Sequence, residues 1–223
     1  MRTFKYIRYF LYIAWNWNFR LAWFTVLHEI KGERRYRLNT TGTNELTAFE
    51  LKGQHRDEAE IYQGASYYIT EKLFAHLAAI GIHGPLVDFG CGKGRVMIVA
   101  ASFQFKKITG VEFARELWQE AKSNISKQAG YFPETEFQVL YENAASFAIE
   151  RDTQVFFFFN PFQESVMRKV ITNILKSVRK YPRPVYILYV NPQLKELFLA
   201  DGFKEIFYVR KMQYVEASIL RLT

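Results

Sequence analysis

The stretch from Leu86 to Gly94 reads L-V-D-F-G-C-G-K-G, an apolar run that passes through one acid into three alternating glycines. An apolar run before such a turn is a strand and the residues after it open a helix, so the segment dictates a βα unit. Gly90, Gly92 and Gly94 carry no side chains, so a ligand can approach the backbone and meet N–H groups at a helix N-terminus. Eighteen residues past Gly94, closing a second short apolar run, stands Glu112 in I-T-G-V-E. An acid at the end of the next strand is placed to accept hydrogen bonds from both hydroxyls of a ribose. Together the two features imply a nucleoside site at the edge of a sheet.

The spacing narrows the choice of nucleoside. A dinucleotide loop reads G-x-G-x-x-G, with the third glycine allowing close packing of helix on strand. Here that third place holds Arg95, and Gly94 falls one residue early. Asp88, two residues before the first glycine, would repel a pyrophosphate and attract an ammonium group. S-adenosylmethionine carries a ribose, an adenine, an α-ammonium and a sulfonium but no phosphate, so the loop suits it better than NAD. Cys91, the single cysteine of the chain, lies inside the turn and reads as a small residue that fits there rather than as a nucleophile. It cannot form an internal disulfide, which agrees with a reducing, cytoplasmic setting.

Around this unit strands and helices alternate. Apolar and β-prone runs predict strands over 86–89, 108–111, 137–140, 155–159 and 185–190. Helical spacing predicts helices over 67–80, 93–103, 115–128, 163–179 and 192–200. Two last strands, 203–209 and 214–220, flank a turn at 210–213. Alternation of this kind means a mostly parallel sheet covered on both faces, and the final pair means an antiparallel hairpin at one edge. Asp88, Glu112, Glu142, Asn143 and Asn160 then fall at the carboxyl ends of strands, where ligands of such sheets bind. His28, His55, His76 and His83 lie far apart with one cysteine, so no metal site is expected. There is no G-x-S-x-G and no phosphate-loop Lys-Ser/Thr; Lys93 reads as a helix-start residue.

Residues 87–94 with Gly110, Val111 and Glu112 resemble motifs I and II of class I S-adenosylmethionine-dependent methyltransferases. The implied fold is α/β: a Rossmann-like, seven-stranded, mostly parallel sheet with a C-terminal antiparallel hairpin. The run 155–162, V-F-F-F-F-N-P-F, ends in Asn160, Pro161 and Phe162, similar to the N-P-P-[YF] motif of amino-group methyltransferases with one proline missing. Pro161 cannot continue a ladder, so an amide and a carbonyl are left at the ligand edge. There they could aim a nitrogen lone pair, with the Phe162 ring shielding the reaction. The likeness extends, over about residues 36–195, to non-SET lysine methyltransferases of the disruptor-of-telomeric-silencing type and their small prokaryotic relatives. Their D-[LF]-G-[SC]-G-x-G-[RQ] loop is matched by Asp88, Phe89, Gly90, Cys91, Gly92, Lys93, Gly94 and Arg95. Tyr62 and Ser66 resemble a segment covering the methionine end of the cofactor, although Gly64-Ala65 replaces a proline-containing form. Residues 37–40 resemble a loop near the same entrance, and Asn143 stands where relatives carry an aspartate near adenine. The resemblance implies a nitrogen acceptor on a protein lysine or a smaller amine, with nucleic-acid methylation or non-catalytic cofactor binding as rivals.

Residues 1–37 form a separate compositional unit before a methyltransferase domain over 38–223. Eight Lys/Arg against Glu29 and Glu33 give this arm +6 of the chain's +8, and it holds three of the four tryptophans. Ile7, Phe10, Ala14, Trp17, Leu21 and Phe24 recur at helical spacing as one apolar stripe. Arg8, Asn16, Asn18 and Arg20 interrupt it, so no run of about 18 uncharged apolar residues could span a bilayer. A short apolar core with a cleavage site is also lacking. Three roles stay open for the arm, chiefly residues 1–30: packing on its own domain or a partner subunit, peripheral contact with a membrane interface, or nucleic-acid contact.

Overall fold

The computed structural model describes residues 2–41, 64–159 and 162–223. Among these, two N-terminal helices, α1 (Arg2–Asn16) and α2 (Phe19–Tyr36), precede α3 (Tyr67–Ala79). There follow β1 (Leu86–Phe89), α4 (Arg95–Ser102), β2 (Lys107–Glu112), α5 (Arg115–Gln128), β3 (Glu136–Tyr141) and β4 (Val155–Phe159). The chain ends with α6 (Glu164–Lys180), β5 (Val185–Val190), α7 (Lys195–Ala200), β6 (Lys204–Lys211) and β7 (Val215–Leu222). The seven strands lie in the order β3-β2-β1-β4-β5-β7-β6. β1 to β5 are mutually parallel and β7 is antiparallel to both β5 and β6. This is the expected fold.

Strand alternation divides the apolar runs between two cores. Leu86, Phe157 and Leu188 face α3 and α4 with Phe74 and Phe105, whereas Phe89, Phe156, Phe158 and Ile187 face α6 with Val170 and Ile174. Because β1 and β4 pair Leu86 with Val155 and Phe89 with Phe158, the phenylalanine run splits between both faces. β1 and β4 sit at the centre of the order, so their carboxyl ends mark the switch point where the ligand crevice of such a sheet opens.

Several element boundaries shift by one to three residues from the sequence reading, the helix expected over 192–200 starting at Lys195 among them, and two departures have clear local reasons. The expected helix over 93–103 starts at Arg95, because Gly94 takes φ +77°, outside helical space. The single N-terminal stripe is broken at Asn18, whose extended backbone and side chain cap α2 by accepting a hydrogen bond from the Leu21 N–H at 2.8 Å. The two helices form an antiparallel hairpin closed by Tyr9, Ile13, Leu21 and Ala22.

α2 packs on the rest of the chain. Gly32 lies against the Tyr67 ring, so close that a Cβ there would fall 2.2 Å from a ring carbon. Tyr36 stacks on the same Tyr67 with centroids 5.6 Å apart. Glu33, buried, accepts hydrogen bonds from the N–H groups of Thr40 and Thr41 at 2.8 and 2.6 Å, and from Lys5 at 2.7 Å and Tyr6. Burial alone would raise the pKa of this carboxyl, yet the Lys5, Tyr6 and Thr41 donors outweigh it and hold the group at about 2. Among the described residues no helix is long and apolar enough to cross a membrane.

Candidate functional site

The glycine turn emerges from the end of β1 and folds back over β2. Gly90, Gly92 and Gly94 all have positive φ, at 70°, 54° and 77°, a path that side-chain-bearing residues rarely follow. The Gly90 and Cys91 N–H groups donate to the Val111 carbonyl at 2.9 and 3.1 Å, which ties the turn to β2. Gly110 lies directly beneath; a Cβ there would meet Met97 Sδ at 2.6 Å and Cys91 Sγ at 2.8 Å. Cys91 is therefore a packing residue of the turn. Burial, with Asp88 and Glu112 nearby, pushes its thiol well above the usual range, which suits an inert sulfur.

The two carboxylates stand on either side of the turn. Glu112 is buried, with Oε2 accepting from the Gly92 N–H at 2.9 Å and Oε1 from the Ala114 N–H at 2.8 Å. A carboxylate offers about four lone-pair sites, and the N–H groups of Gly92, Ala114 and Phe113 act on this one, so acceptor capacity remains for a hydroxyl donor. Burial raises its pKa, against the pull of the Ala114 and Gly92 N–H groups. Asp88 is buried more deeply, and its Oδ2 has no hydrogen-bond partner among the described residues. Burial, and after it the neighbouring Glu112, raise its pKa well above the ordinary carboxylate range. An orphaned acid beside a bare glycine turn is a cradle for a cationic group with hydroxyls attached. Phosphate does not fit it, because two acids face the turn and the nearby cations are engaged elsewhere. Lys93 pairs with Glu120 at 3.0 Å, and Arg95 is turned away into the core.

Arg95, the first residue of α4, is the feature that the sequence left unread. Its guanidinium makes a bidentate pair with Glu29 of α2, Nη1 to Oε1 at 3.0 Å and Nη2 to Oε2 at 2.8 Å, with both side chains below 5% exposed. It also donates through Nε to Thr40 Oγ1 at 2.8 Å and through Nη1 to the Ala65 carbonyl at 2.8 Å. The guanidinium carbon lies 4.1 Å from the centre of the Tyr67 ring. The residue after the glycine turn thus binds the arm, the 37–40 loop and the entry to α3. The signal available was two acids, Glu29 and Glu33, one helical turn apart around Gly32 in an otherwise basic segment.

Two hollows open at this rim. Gly90, Val111, Phe113, Glu142, Asn143, Ala144, Phe162 and Val166 line a narrow cleft of about 30 Å³. Asn143 Oδ1 accepts from the Ala145 N–H at 2.8 Å, so the amide nitrogen is what this side chain can offer a ligand. Phe162 lines this same cleft and packs edge-on against Phe89, 6.4 Å between centroids. Phe89 itself is core, so what it can offer a ligand is backbone. As it stands the cleft admits about one water molecule; a purine there requires Phe113 and Phe162 to part. The second hollow, about 300 Å³, is lined by Ser66, Ile69, Phe159, Val190 and Asn191 of the sheet side and by Tyr9, Ile13, Trp17, Leu21 and Glu29 of the arm. The structure therefore gathers Asp88, Gly90, Gly92, Glu112, Asn143 and Phe162 on one side of the rim and Ser66 on the other. Tyr62, Asn160 and Pro161 lie outside the described residues.

A larger hollow of about 840 Å³ lies at the opposite, amino edge of the sheet, between Lys107, Glu150, Asp152 and Lys180. It is open and polar and carries no strained turn or orphaned group. Among the described residues no group of three or more His, Cys, Asp or Glu is arranged to hold a metal ion.

Comparison with known proteins identifies the fold. No family model and no curated protein matches the chain by sequence. Solved structures match it in fold over 69–86% of its length. A candidate RNA methyltransferase of Pyrococcus horikoshii is similar at 15% identity, covering 86% of this chain and 97% of that one, with a TM-score of 0.56. The glycopeptide N-methyltransferase MtfA is similar at 11% identity over 69% and 95%, with a TM-score of 0.54. The magnesium protoporphyrin IX methyltransferase of Synechocystis PCC 6803, solved with bound S-adenosylmethionine, is similar at 13% identity over 86% and 89%, with a TM-score of 0.53. The chain has the fold of class I methyltransferases. Its likeness to the lysine-methylating group rests on sequence motifs alone.

Proposed function

We propose that this protein is a class I methyltransferase that uses S-adenosylmethionine to methylate a nitrogen. The observation that carries this reading is the orphaned Asp88 beside the bare glycine turn, with Glu112 across it, at the switch point of a β3-β2-β1-β4-β5-β7-β6 sheet. S-adenosylmethionine supplies a methyl group on a sulfonium, open to in-line displacement. Asp88 and the turn hold the ammonium end, Glu112 accepts from a ribose hydroxyl, and Asn143 presents its amide to the base edge. Ser66 and Tyr62 close the methionine end.

The hollow under the arm is the acceptor site in this reading, and Asn160 and Pro161 position the nucleophile, while Phe162 lines the neighbouring cleft beside Gly90 and Asn143. A free amine has a pKa near 10.4, so the site must favour its neutral form. The lining of Ile13, Leu21, Ile69, Phe159 and Val190 does so by disfavouring charge. Two acids reach this lining: Glu29, which is paired with Arg95, and Glu216, which accepts from the Tyr208 hydroxyl at 2.7 Å. Apolar surroundings thus prepare the lone pair without a dedicated base, and alignment supplies most of the rate.

Titration calorimetry tests the cofactor. Heat with S-adenosylhomocysteine and none with NADH or a nucleoside triphosphate is the expected result; the reverse overturns it. Incubation with methyl-labelled cofactor and host lysate tests the acceptor, with Asn160→Ala and Glu112→Ala as controls. Label in a discrete protein band or a small amine, lost in both variants, supports a nitrogen acceptor. Label confined to nuclease-sensitive material points to nucleic acid instead.

A further inference from the structure

α1 is apolar on both sides, and only one side is covered. Tyr9 and Ile13 are buried against α2, while Phe4, Ile7, Leu11 and Trp15 form the outward stripe, with Phe4 73%, Leu11 60% and Trp15 91% exposed. Phe19 and Trp23 of α2 extend this surface, and Trp17 projects at the bend. Apolar side chains left uncovered in a contiguous patch of this size mark an interaction surface. Between the helices the surface dips into a groove of about 590 Å³ walled by Ile7, Phe10, Trp23, Val26, Leu27 and Ile30.

The charge on this face is of one sign. Residues 1–37 contain two acids, Glu29 and Glu33, and both are buried: Glu29 pairs with Arg95, and Glu33, which touches the wall of the groove, is held by Lys5, Tyr6 and the backbone N–H groups of residues 40–41. The exposed cations of the hairpin are Arg8, Arg20, Lys31, Arg34, Arg35 and Arg37, of which Arg35 pairs with Glu71 and Arg37 bonds the Tyr131 hydroxyl of the rest of the chain. Tryptophan and phenylalanine flanked by arginine, with no exposed acid, match an anionic lipid surface: the rings sit at the headgroup level and the guanidinium groups meet phosphate. Nucleic acid would reward the rings and the cations but gain nothing from Ile7, Leu11 and an apolar groove.

We propose that the outer face of the α1–α2 hairpin docks on a membrane surface bearing anionic lipid. Trp17 lines the hollow under the arm as well as reaching the exposed bend, so docking sets the mouth of that hollow at the interface. The proposal stands on the hairpin and does not require the methyl-transfer reading.

The test uses the full chain in co-sedimentation with phosphatidylcholine vesicles made with and without phosphatidylglycerol. Binding is expected on both, tighter with the anionic lipid, and weakened by salt only there. Trp15→Ala and Trp23→Ala should each lower the partition coefficient about tenfold or more on either vesicle, given the area an inserted ring buries. Arg8→Gln and Arg20→Gln should each lower it about fivefold on anionic vesicles and leave binding to phosphatidylcholine unchanged. All four side chains are exposed, so unchanged melting curves identify folded variants. Absence of wild-type binding to anionic vesicles overturns the proposal, as does binding that survives both tryptophan substitutions. A self-associated protein that Trp15→Ala converts to monomer while vesicles are ignored assigns the face to a second copy. Retention by RNA but not by vesicles assigns it to nucleic acid.

Discussion

Glu29→Gln should be among the most destabilising single changes in the arm, although it alters one atom and leaves the shape intact. Glu29 and Arg95 are both nearly dry and meet through two bonds of 2.8 and 3.0 Å. Removing one charge from such a pair leaves the other buried without compensation, which costs about 3–5 kcal/mol. Arg95 keeps its bonds to Thr40 and Ala65 and the Tyr67 ring, so the lower half of that range applies. A protein of this size loses about 2–4 °C of melting temperature per kcal/mol, giving a fall of about 6–16 °C. Thermal denaturation followed by circular dichroism reads it. The paired replacement Glu29→Leu with Arg95→Met should cost far less than the sum of the singles, leaving a coupling of about 2 kcal/mol or more. Because Arg95 follows Gly94 directly, the single variant should also weaken S-adenosylhomocysteine binding. A Glu29→Gln protein that melts within about 2 °C of its parent, with additive double-variant energies, would mean that α2 is not seated on α4 in solution.

Asp88→Asn should raise the melting temperature at neutral pH and weaken S-adenosylhomocysteine. The folded pKa of Asp88 lies above its unfolded value, so its contribution to stability is greatest when protonated and falls as pH rises past about 4. The variant should flatten that decline, and an unchanged or steeper decline would refute the assignment. Glu33 has the opposite sign: its folded pKa of about 2 lies below the ordinary 4.5, so its stabilisation is present above that value and lost on acidification toward pH 2. Urea unfolding of Glu33→Gln should therefore show lower stability at pH 7 and a shallower acid limb, a difference of at most about 3 kcal/mol. Gly110→Ala places a methyl against Met97 and Cys91 and should cost about 1–3 kcal/mol while loosening the cofactor turn, with Cys91→Ala restoring part of the loss.

The central βα unit was legible because its residues act locally. A glycine that must take φ near +70° and an acid that closes the neighbouring strand announce themselves within a few positions. The terminal hairpin was legible for the same reason, its alternation and turn falling within one short stretch. The break at Asn18 was hidden because apolar residues keep helical spacing on both sides of it, and the cap is decided by a single side chain. The Glu29–Arg95 pair lies 66 positions apart and was invisible to any local pattern. In a basic arm two glutamates look like solvated charges; only the docking of Gly32 on Tyr67 turns their face inward. Phe162 was read by motif as a shield for the reaction, and its ring lines the Gly90–Asn143 cleft.

Among the described residues four buried carboxylates set the logic of the molecule, and their partners differ in a way that separates structure from ligand binding. Glu29 and Glu33 are fully engaged by Arg95, Lys5, Tyr6 and backbone N–H groups, so they fasten the arm to the sheet and have nothing left to offer. Glu112 is partly engaged, one oxygen holding the Gly92 N–H of the turn and the other the Ala114 N–H at the start of α5. Asp88 retains one oxygen with no partner among the described residues. A structural acid buried to this degree would be expected to find a donor, since leaving one lone costs about 1–3 kcal/mol. Asp88 lies at the centre of the sheet, within reach of a turn that has positive φ at every glycine, and the cost is tolerated there alone among the four. Stability is lowest where the charge of a ligand would restore it, so cofactor binding should raise the melting temperature most at the higher pH values, where Asp88 is ionised and uncompensated.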